Sequence, residues 1–450
     1  MASADEDVGK LRELVADERA RRARTEKQLA AQKAETARWR RRARQVELAS
    51  KAFIRLPTFR SAPTVAEPAS AGPVAFPAIR AGIGGAPTWL VRAMETVDLV
   101  GLDEAGLAML DVVIVGGGSV VAGVEELIKW PVRPPLIAFS PTGELERVLA
   151  TTECAVVVGD SSVPAVVRVG DVVPLGPLTQ GYQSEPQEIA RRVTGGLDRT
   201  VASVTHELLR SAGLGLPSPI PTVSTIAVTN RPDRVRTLLE TLRALQYADL
   251  RIELGTHGFT LDFSDRQVAE SWFGDRLTIR EFPEQWPLGR CLNEVIEGTT
   301  SNLWAKIDDD DFYGPTYLQE AVIELLTTGA ELVGKQTHHL YDSTLDRTYL
   351  LQPGNEYRDT AYVPGATFVG RRGAWERVPF AHRRARVDST FVRGMGAVGL
   401  SIYSTSRFEF AVGRGGGDHT WHVDETFYQA RGRPIGDGFR RDDIFLPAMG

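Results

Sequence analysis

Cysteine is almost absent from this chain: Cys154 and Cys291 are the only two in 450 residues, each set in an apolar stretch. That excludes a disulfide scaffold or a cysteine-rich zinc site, and leaves two small buried hydrophobes in a reducing, cytoplasmic setting as the expectation. A strong charge of either sign is also missing. The net value is −6 at pH 7, so composition gives no ground for a nucleic-acid partner. No apolar run approaches the ~20 residues that cross a bilayer. The opening residues, Met-Ala-Ser-Ala-Asp-Glu-Asp, lack the apolar core of a secretory leader.

Proline is missing from residues 1–56, which are rich in Ala, Arg, Glu, Lys and Gln. A long charged helix is expected there. Val8, Leu11, Val15, Leu29, Trp39, Ala43 and Val46 fall on heptad a and d positions, but Glu18, Arg22, Thr25, Gln32 and Thr36 share the seam. Three readings stay open: a solvated helix, a coiled coil that joins copies of the chain, and a basic surface at the inner face of a membrane. A Pro/Ala/Ser-rich linker follows over 57–80.

What is present after that is alternation. Val112 to Val115, Pro135 to Phe139 and Ala155 to Val158 are β-branched runs that predict buried parallel strands. Helical segments are expected over Val120 to Trp130 and Leu145 to Ala150. This predicts a smaller Rossmann-like α/β domain over 81–214. Gly116-Gly117-Gly118 follows the first strand without the full dinucleotide spacing, so it reads as a turn. The stretch from Pro174 to Pro186 resembles the loop before the last helix in nucleotide-sugar-enzyme Rossmann domains of the GT-B type. Three alternating prolines, Pro217, Pro219 and Pro221, then mark a linker over 215–222.

A second α/β unit, 223–450, carries the chemistry. Val223 to Val228 predicts a strand that ends in Thr229-Asn230-Arg231, with Asn230 as the N-cap of a helix whose buried face is Val235, Leu238, Leu239, Leu242 and Leu245. Further strands are expected over Arg251 to Leu254 and Leu277 to Phe282, and a helix opens at Leu288-Gly289. The apolar run Leu303 to Ile307 leads directly into Asp308-Asp309-Asp310-Asp311. Four adjacent carboxylates repel one another, and a hard divalent cation, Mn2+ or Mg2+, relieves that repulsion while bridging to a diphosphate. The competing reading is a solvated acidic turn that caps the helix beginning near Pro315.

The ordered set of these motifs resembles family-2 glycosyltransferases of the GT-A fold, over about the last half of the chain. The likeness rests on Thr229-Asn230-Arg231, Leu288-Gly289 to Asn293, the Asp308-x-Asp310 signature, Tyr313-Gly314-Pro315, Val333-Gly334-Lys335, a small-residue strand at Pro364 to Phe368, and His419-Thr420-Trp421. It implies a metal-dependent, inverting hexosyltransferase. Its donor is a nucleotide-diphosphate sugar, and its acceptor a cell-surface glycan, a lipid-linked sugar or a protein. The resemblance places Asp308, Asp310 and His419 at the metal, and Thr229, Asn230, Arg231, Lys306, Asp308 and Asp309 at the nucleotide sugar. Lys306 could instead pair with the neighbouring aspartates. Asp388 would be the catalytic base, the aspartate of a Glu-Asp pair in which Val387 here replaces the glutamate. The run Leu254 to Gly258 lacks the acidic pair that often reads a uracil base. A nucleotidyltransferase would need a glycine-rich basic loop after the first strand, which Thr229 to Arg234 does not supply. A degenerate transferase-fold scaffold is the non-enzymatic alternative.

Overall fold

The first of three sheets is parallel throughout, and its core explains why. Val112 and Ile114 pack on one face with the helix Val201–Ser211, whereas Val113 and Val115 pack on the other with the helix Gly143–Leu149. Strands buried on both faces need apolar residues at every position, so the sequence shows runs rather than alternation. In this computed structural model the sheet comprises β1 (Phe76–Gly84), β2 (Met94–Asp98), β3 (Val112–Gly116), β4 (Leu136–Phe139), β5 (Cys154–Val158) and β6 (Ala165–Val169), in the order β2-β1-β3-β4-β5-β6. Expected strands β3, β4 and β5 are present; β1, β2 and β6 were not expected, and β1 begins inside the stretch read as linker. The structure describes residues 76–84, 94–98, 110, 112–116, 124, 136–139, 141–150, 154–159, 161–163, 165–169, 174–179, 182, 184–212, 214, 218–415 and 432–448. The helix expected over 1–56, residues 57–75 of the linker, Gly117, Gly118, all of the expected helix 120–130 except Val124, and the segment 416–431 with His419 lie outside them.

The second sheet is mixed, with eight strands. Its core is four parallel strands: β7 (Val223–Thr229), β8 (Leu250–His257), β9 (Leu277–Phe282) and β10 (Leu303–Lys306). The third, five-stranded sheet takes β11 (Phe312–Tyr313), β13 (His338–Asp342), β14 (Arg347–Leu351), β18 (Phe410–Arg414) and β19 (Gly432–Asp437). The remaining strands of the second sheet are β12 (Leu332–Gly334), β15 (Arg358–Asp359), β16 (Val369–Arg371) and β17 (Ile402–Ser404), giving the order β15-β17-β12-β16-β10-β7-β8-β9. The expected helical face after β7 is real: Val235, Leu238, Leu239 and Leu242 of the helix Val235–Ala244 are buried. Each such side chain contributes about 1.5–3 kcal/mol through burial. Among the described residues no helix is long and apolar enough to cross a membrane.

The stretch 174–200 packs against this C-terminal core. Ile189, Val193 and Leu197 share its hydrophobic cluster, with Leu175, Leu178 and Tyr182 against it. Polar ties reinforce the contact. Arg192 pairs with the buried Glu324 at 2.7 Å, the Tyr403 hydroxyl donates to the Leu178 carbonyl at 2.5 Å, and the Ser184 hydroxyl donates to Glu356 at 2.7 Å.

Two corrections follow from local geometry. Asn230 does not cap a helix. Arg231 precedes a 3-10 turn, Pro232–Arg234, and Arg234 precedes the helix Val235–Ala244, so Asn230 is left exposed one step too early. The small-residue strand expected over Pro364 to Phe368 is instead a 3-10 turn, Gly365–Thr367, and β16 begins only at Val369.

Two adjacent histidines on β13 make the fold sensitive to acid. Burial lowers His338 to about 4 and His339 to about 3. A depressed histidine binds fewer protons folded than unfolded, so its contribution is complete above pH ~6.5 and drains away as pH falls toward the folded value. Each histidine therefore costs about 1.4 kcal/mol per pH unit across this window. Urea unfolding between pH 6.5 and 4.5 should show a slope reduced by about that amount in His338→Gln; an unchanged slope contradicts the assignment.

Candidate active site

Alternation along β10 sends Leu303 and Ala305 to one face of the sheet and Trp304 to the other. Lys306 shares the parity of Trp304, so an amine is directed to an apolar face. That face is covered by the helix Val387–Ala397 through Val387, Phe391, Val392 and Met395. Trp304 meets Phe380 and Phe391 edge-on at 5.7 Å each, fixing the helix against the strand. Lys306 lies one pleat further along, buried to 5% exposure, where this core opens. It cannot stay unpaired there. Its ammonium donates to both Asp308 oxygens, at 2.5 and 2.8 Å, and lies 3.7 Å from Asp388 Oδ2. Burial alone would lower its pKa, but Asp308 and Asp388 outweigh burial and hold it charged. In the structure Lys306 thus pairs with the neighbouring aspartates.

The site sits where the strand order reverses. The chain moves from β7 to β8 to β9 in one direction, then returns to place β10 on the opposite side of β7. By this topology the ligand crevice of an open α/β sheet is expected between the carboxyl ends of β7 and β10. Thr229, Asn230 and Arg231 leave β7 on one side of it; the acidic run leaves β10 on the other.

The four aspartates are not equivalent. Asp309 is bound back across the crevice: it accepts from the Thr229 hydroxyl and from the Arg231 guanidinium, with the Arg231 Nε at 3.1 Å. Arg231 reaches Asp310 as well, at 3.1 Å. Asp311 turns inward, accepts from the Gly413 amide at 3.0 Å, and has Arg414 at 3.9 Å. Burial first, then the charges of Asp310 and Asp308, push its pKa well above the usual carboxylate range. Asp308 and Asp310 keep the larger exposure of the run beside the crevice, at 32% and 17%. The run does not cap the following helix, Tyr317–Thr328. Buried Glu409 does that, accepting from the Thr316 amide at 2.7 Å.

Asp388 sits in the first turn of its helix, with Oδ1 shielded from water and without a hydrogen-bond partner. Burial raises its pKa, Lys306 pulls it down, and Asp308 adds to the rise. Val387, standing where glutamate was expected, is buried in the aromatic cluster and packs toward Gly289. Residue 387 is thus an anchor for the helix start rather than a polar group of the site.

Three further residues shape the site: Tyr313 and Gly365, which entered the sequence reading only as parts of motifs, and Tyr362, which did not enter it. Gly365 faces Asp388 so closely that a Cβ would fall within the carboxylate. Tyr313 accepts from the Asp308 amide at 3.0 Å and donates to the Ala366 carbonyl at 2.8 Å, tying the acidic run to that turn. Tyr362, three residues before Gly365, has its pKa raised by burial first and then by the Asp388 charge. Alternation could have flagged Lys306 as facing a core; the contacts of the other three are made with distant elements and are not written in the local sequence.

The donor set suits a hard divalent cation. Five carboxylates, Asp308 to Asp311 and Asp388, face three cations, Lys306, Arg231 and Arg414, so acidic groups outnumber basic ones and a bound cation would relieve their repulsion. Among the described residues no three His, Cys, Asp or Glu side chains converge into a preformed metal cluster. Asp308 and Asp310 are the carboxylates placed to contribute, and the further ligand expected of His419 lies outside the described residues.

No protein-family profile matches the chain, and no curated protein matches it. Solved structures align with part of it. A Staphylococcus aureus TarS fragment, residues 1–349 in complex with UDP-GlcNAc, matches at 14% identity and TM-score 0.36, over 46% of this chain and 64% of that one. The mannosyltransferase PcManGT from Pyrobaculum calidifontis, in complex with GDP-Man and Mn2+, matches at 16% identity and TM-score 0.35, over 51% and 68%. The chain thus spans less than two thirds of the TarS fragment.

The Arg231–Asp309 clamp closes the crevice floor, and Asn230 beside it makes no such tie. Asp309→Ala should destabilise the fold by about 1–3 kcal/mol, because Thr229 and Arg231 lose their shared acceptor and Arg231 keeps only Asp310, while Asn230→Ala should stay within about 0.5 kcal/mol. Urea denaturation of both variants measures the contrast, and equal effects would contradict it.

Proposed function

We propose that the C-terminal unit transfers a sugar, with inversion, from a nucleotide-diphosphate sugar to an acceptor hydroxyl, and that the crevice between β7 and β10 is the donor site. The observation that carries this reading is the pairing of an acidic, cation-suited strand end with a second carboxylate, Asp388, held on the far side of Lys306. One carboxylate group serves the leaving diphosphate; the other faces the place where an acceptor would enter.

The chemistry assigns each group a task. Asp388 takes the proton of the acceptor hydroxyl with its partly exposed carboxylate. The acceptor oxygen bonds to the anomeric carbon as that carbon's bond to the diphosphate oxygen breaks, and the leaving diphosphate keeps the electron pair. Asp308 and Asp310 would hold a divalent cation, which would offset the charge that develops on that diphosphate. Lys306 holds Asp308 and Asp388 in fixed relation, and its charge opposes the rise that burial imposes on the Asp388 pKa. Thr229 and Arg231 line the nucleotide side, while Asp309 orients Arg231 rather than meeting the ligand itself. The raised pKa of Asp388 sets the acid limit: a base protonated above the ordinary aspartate value of ~3.9 loses activity at a correspondingly higher pH.

Incubation with UDP-, GDP- and dTDP-sugars and Mn2+ should yield free nucleotide diphosphate from at least one donor. Asp310→Ala should abolish that turnover. Asp388→Asn should lower kcat by about 10²-fold or more while nucleotide affinity holds within about twofold. The acid limb of kcat/KM should lie above pH ~3.9. No binding or turnover with any donor would sink the enzyme reading and favour a transferase-fold scaffold.

A further inference from the structure

The loop 382–386 reads His-Arg-Arg-Ala-Arg, without an acidic residue, and leads directly into Val387 and Asp388. Its backbone is fixed at both ends. The Gly289 amide donates to the Arg383 carbonyl at 3.3 Å, and the Arg383 amide to the Ala381 carbonyl at 2.7 Å. At the other end the Arg386 carbonyl accepts from the Thr390 amide at 3.1 Å, the Thr390 hydroxyl at 2.8 Å and the Ser389 hydroxyl at 3.3 Å. Gly289 is part of the same arrangement, since a Cβ there would collide with the Ala381 carbonyl.

The side chains of this fixed loop are spent on almost nothing within the protein. Arg383, Arg384 and Arg386 are exposed. Among the described residues none of the three lies within ion-pairing distance of a carboxylate. Their one side-chain hydrogen bond is a long one, from Arg384 to the Glu284 carbonyl at 3.4 Å. Arg386 also holds φ at +58°, a left-handed conformation that a non-glycine residue adopts only at a cost. Three exposed arginines, one of them on strained backbone, thus lie within five residues of Asp388 in the chain and, among the described residues, without a carboxylate partner.

The electrostatics of the site give this a purpose. The excess negative charge around Asp308 and Asp388 repels any anionic molecule that approaches the base, whereas a neutral sugar meets no such barrier and needs no cations to overcome it. Guanidinium forks match phosphate oxygens in geometry and in charge. Resting on the transferase reading of Asp388, we propose that loop 382–386 is an acceptor subsite, and that the acceptor is a glycan bearing phosphate groups beside its nucleophilic hydroxyl.

Fluorescently labelled inorganic polyphosphate, titrated into the full-length protein by anisotropy, tests the subsite. The triple variant Arg383→Gln, Arg384→Gln, Arg386→Gln should bind it about tenfold more weakly or worse. The corresponding triple Lys variant, which keeps the charge, should recover most of that loss, and thermal unfolding checks that each variant is folded. UDP and GDP affinity in Mn2+ should change by less than about twofold. Unchanged polyphosphate affinity overturns the proposal. So does an equal loss of nucleotide affinity, which would put the loop at the donor, or a dependence on these arginines seen only with phosphatidylglycerol vesicles, which would make it a membrane contact. A wild type that binds polyphosphate through the loop but turns over no donor leaves the anion site standing and removes the transferase reading beneath it.

Discussion

A single buried amine organises the C-terminal unit. Lys306 is the last residue of the central strand β10, and its side chain enters a face otherwise filled by Trp304, Phe368, Phe380 and Phe391. A lysine in that position costs several kcal/mol unless it is paired. The pairing it requires, Asp308 at hydrogen-bond distance and Asp388 at 3.7 Å, joins two parts of the chain 80 positions apart in sequence. Asp388 in turn requires Gly365, because only a residue without Cβ leaves space for its carboxylate. The turn Gly365–Thr367, the helix Val387–Ala397 and the end of β10 are therefore mutually determined by one charge.

Around that amine the protein divides its carboxylates by environment. Asp309 is neutralised by Arg231 and closes the crevice floor. Asp311 is buried and pushed toward its neutral form. Asp308 and Asp310 remain beside the crevice, and Asp388 stands apart on its helix. Five chemically identical groups thus acquire distinct tasks through burial and partner alone. The arrangement is costly for folding, since like charges are held together; local strain and repulsion of this kind collect at functional sites.

Much of this was legible in the sequence. β7, β9 and β10 begin at the expected residues, because their apolar runs are bounded by polar turns, and the acidic run lies at the strand end where it was placed. The strands β1, β2 and β6 were missed: their sequences, such as Phe76-Pro77-Ala78-Ile79-Arg80, mix proline, glycine and charge into short parallel strands that only sheet context completes. Asn230 was misread as a cap because the strand runs one residue further than its polar ending suggests. The roles of Lys306 and Asp309 could not be read locally, since each depends on a partner from a distant element. Val387, where the resemblance implies a glutamate, is a buried anchor at the start of its helix.

The central claim is that the end of β10 is the metal and diphosphate end of a transfer site. Anomalous diffraction from crystals grown with Mn2+ and a nucleoside diphosphate tests it most directly. The account predicts a manganese peak within about 2.5 Å of an Asp310 carboxylate oxygen, with the nucleotide lying between Thr229–Arg231 and the acidic run. A nucleotide bound elsewhere, or a manganese peak remote from Asp308 and Asp310, would contradict it.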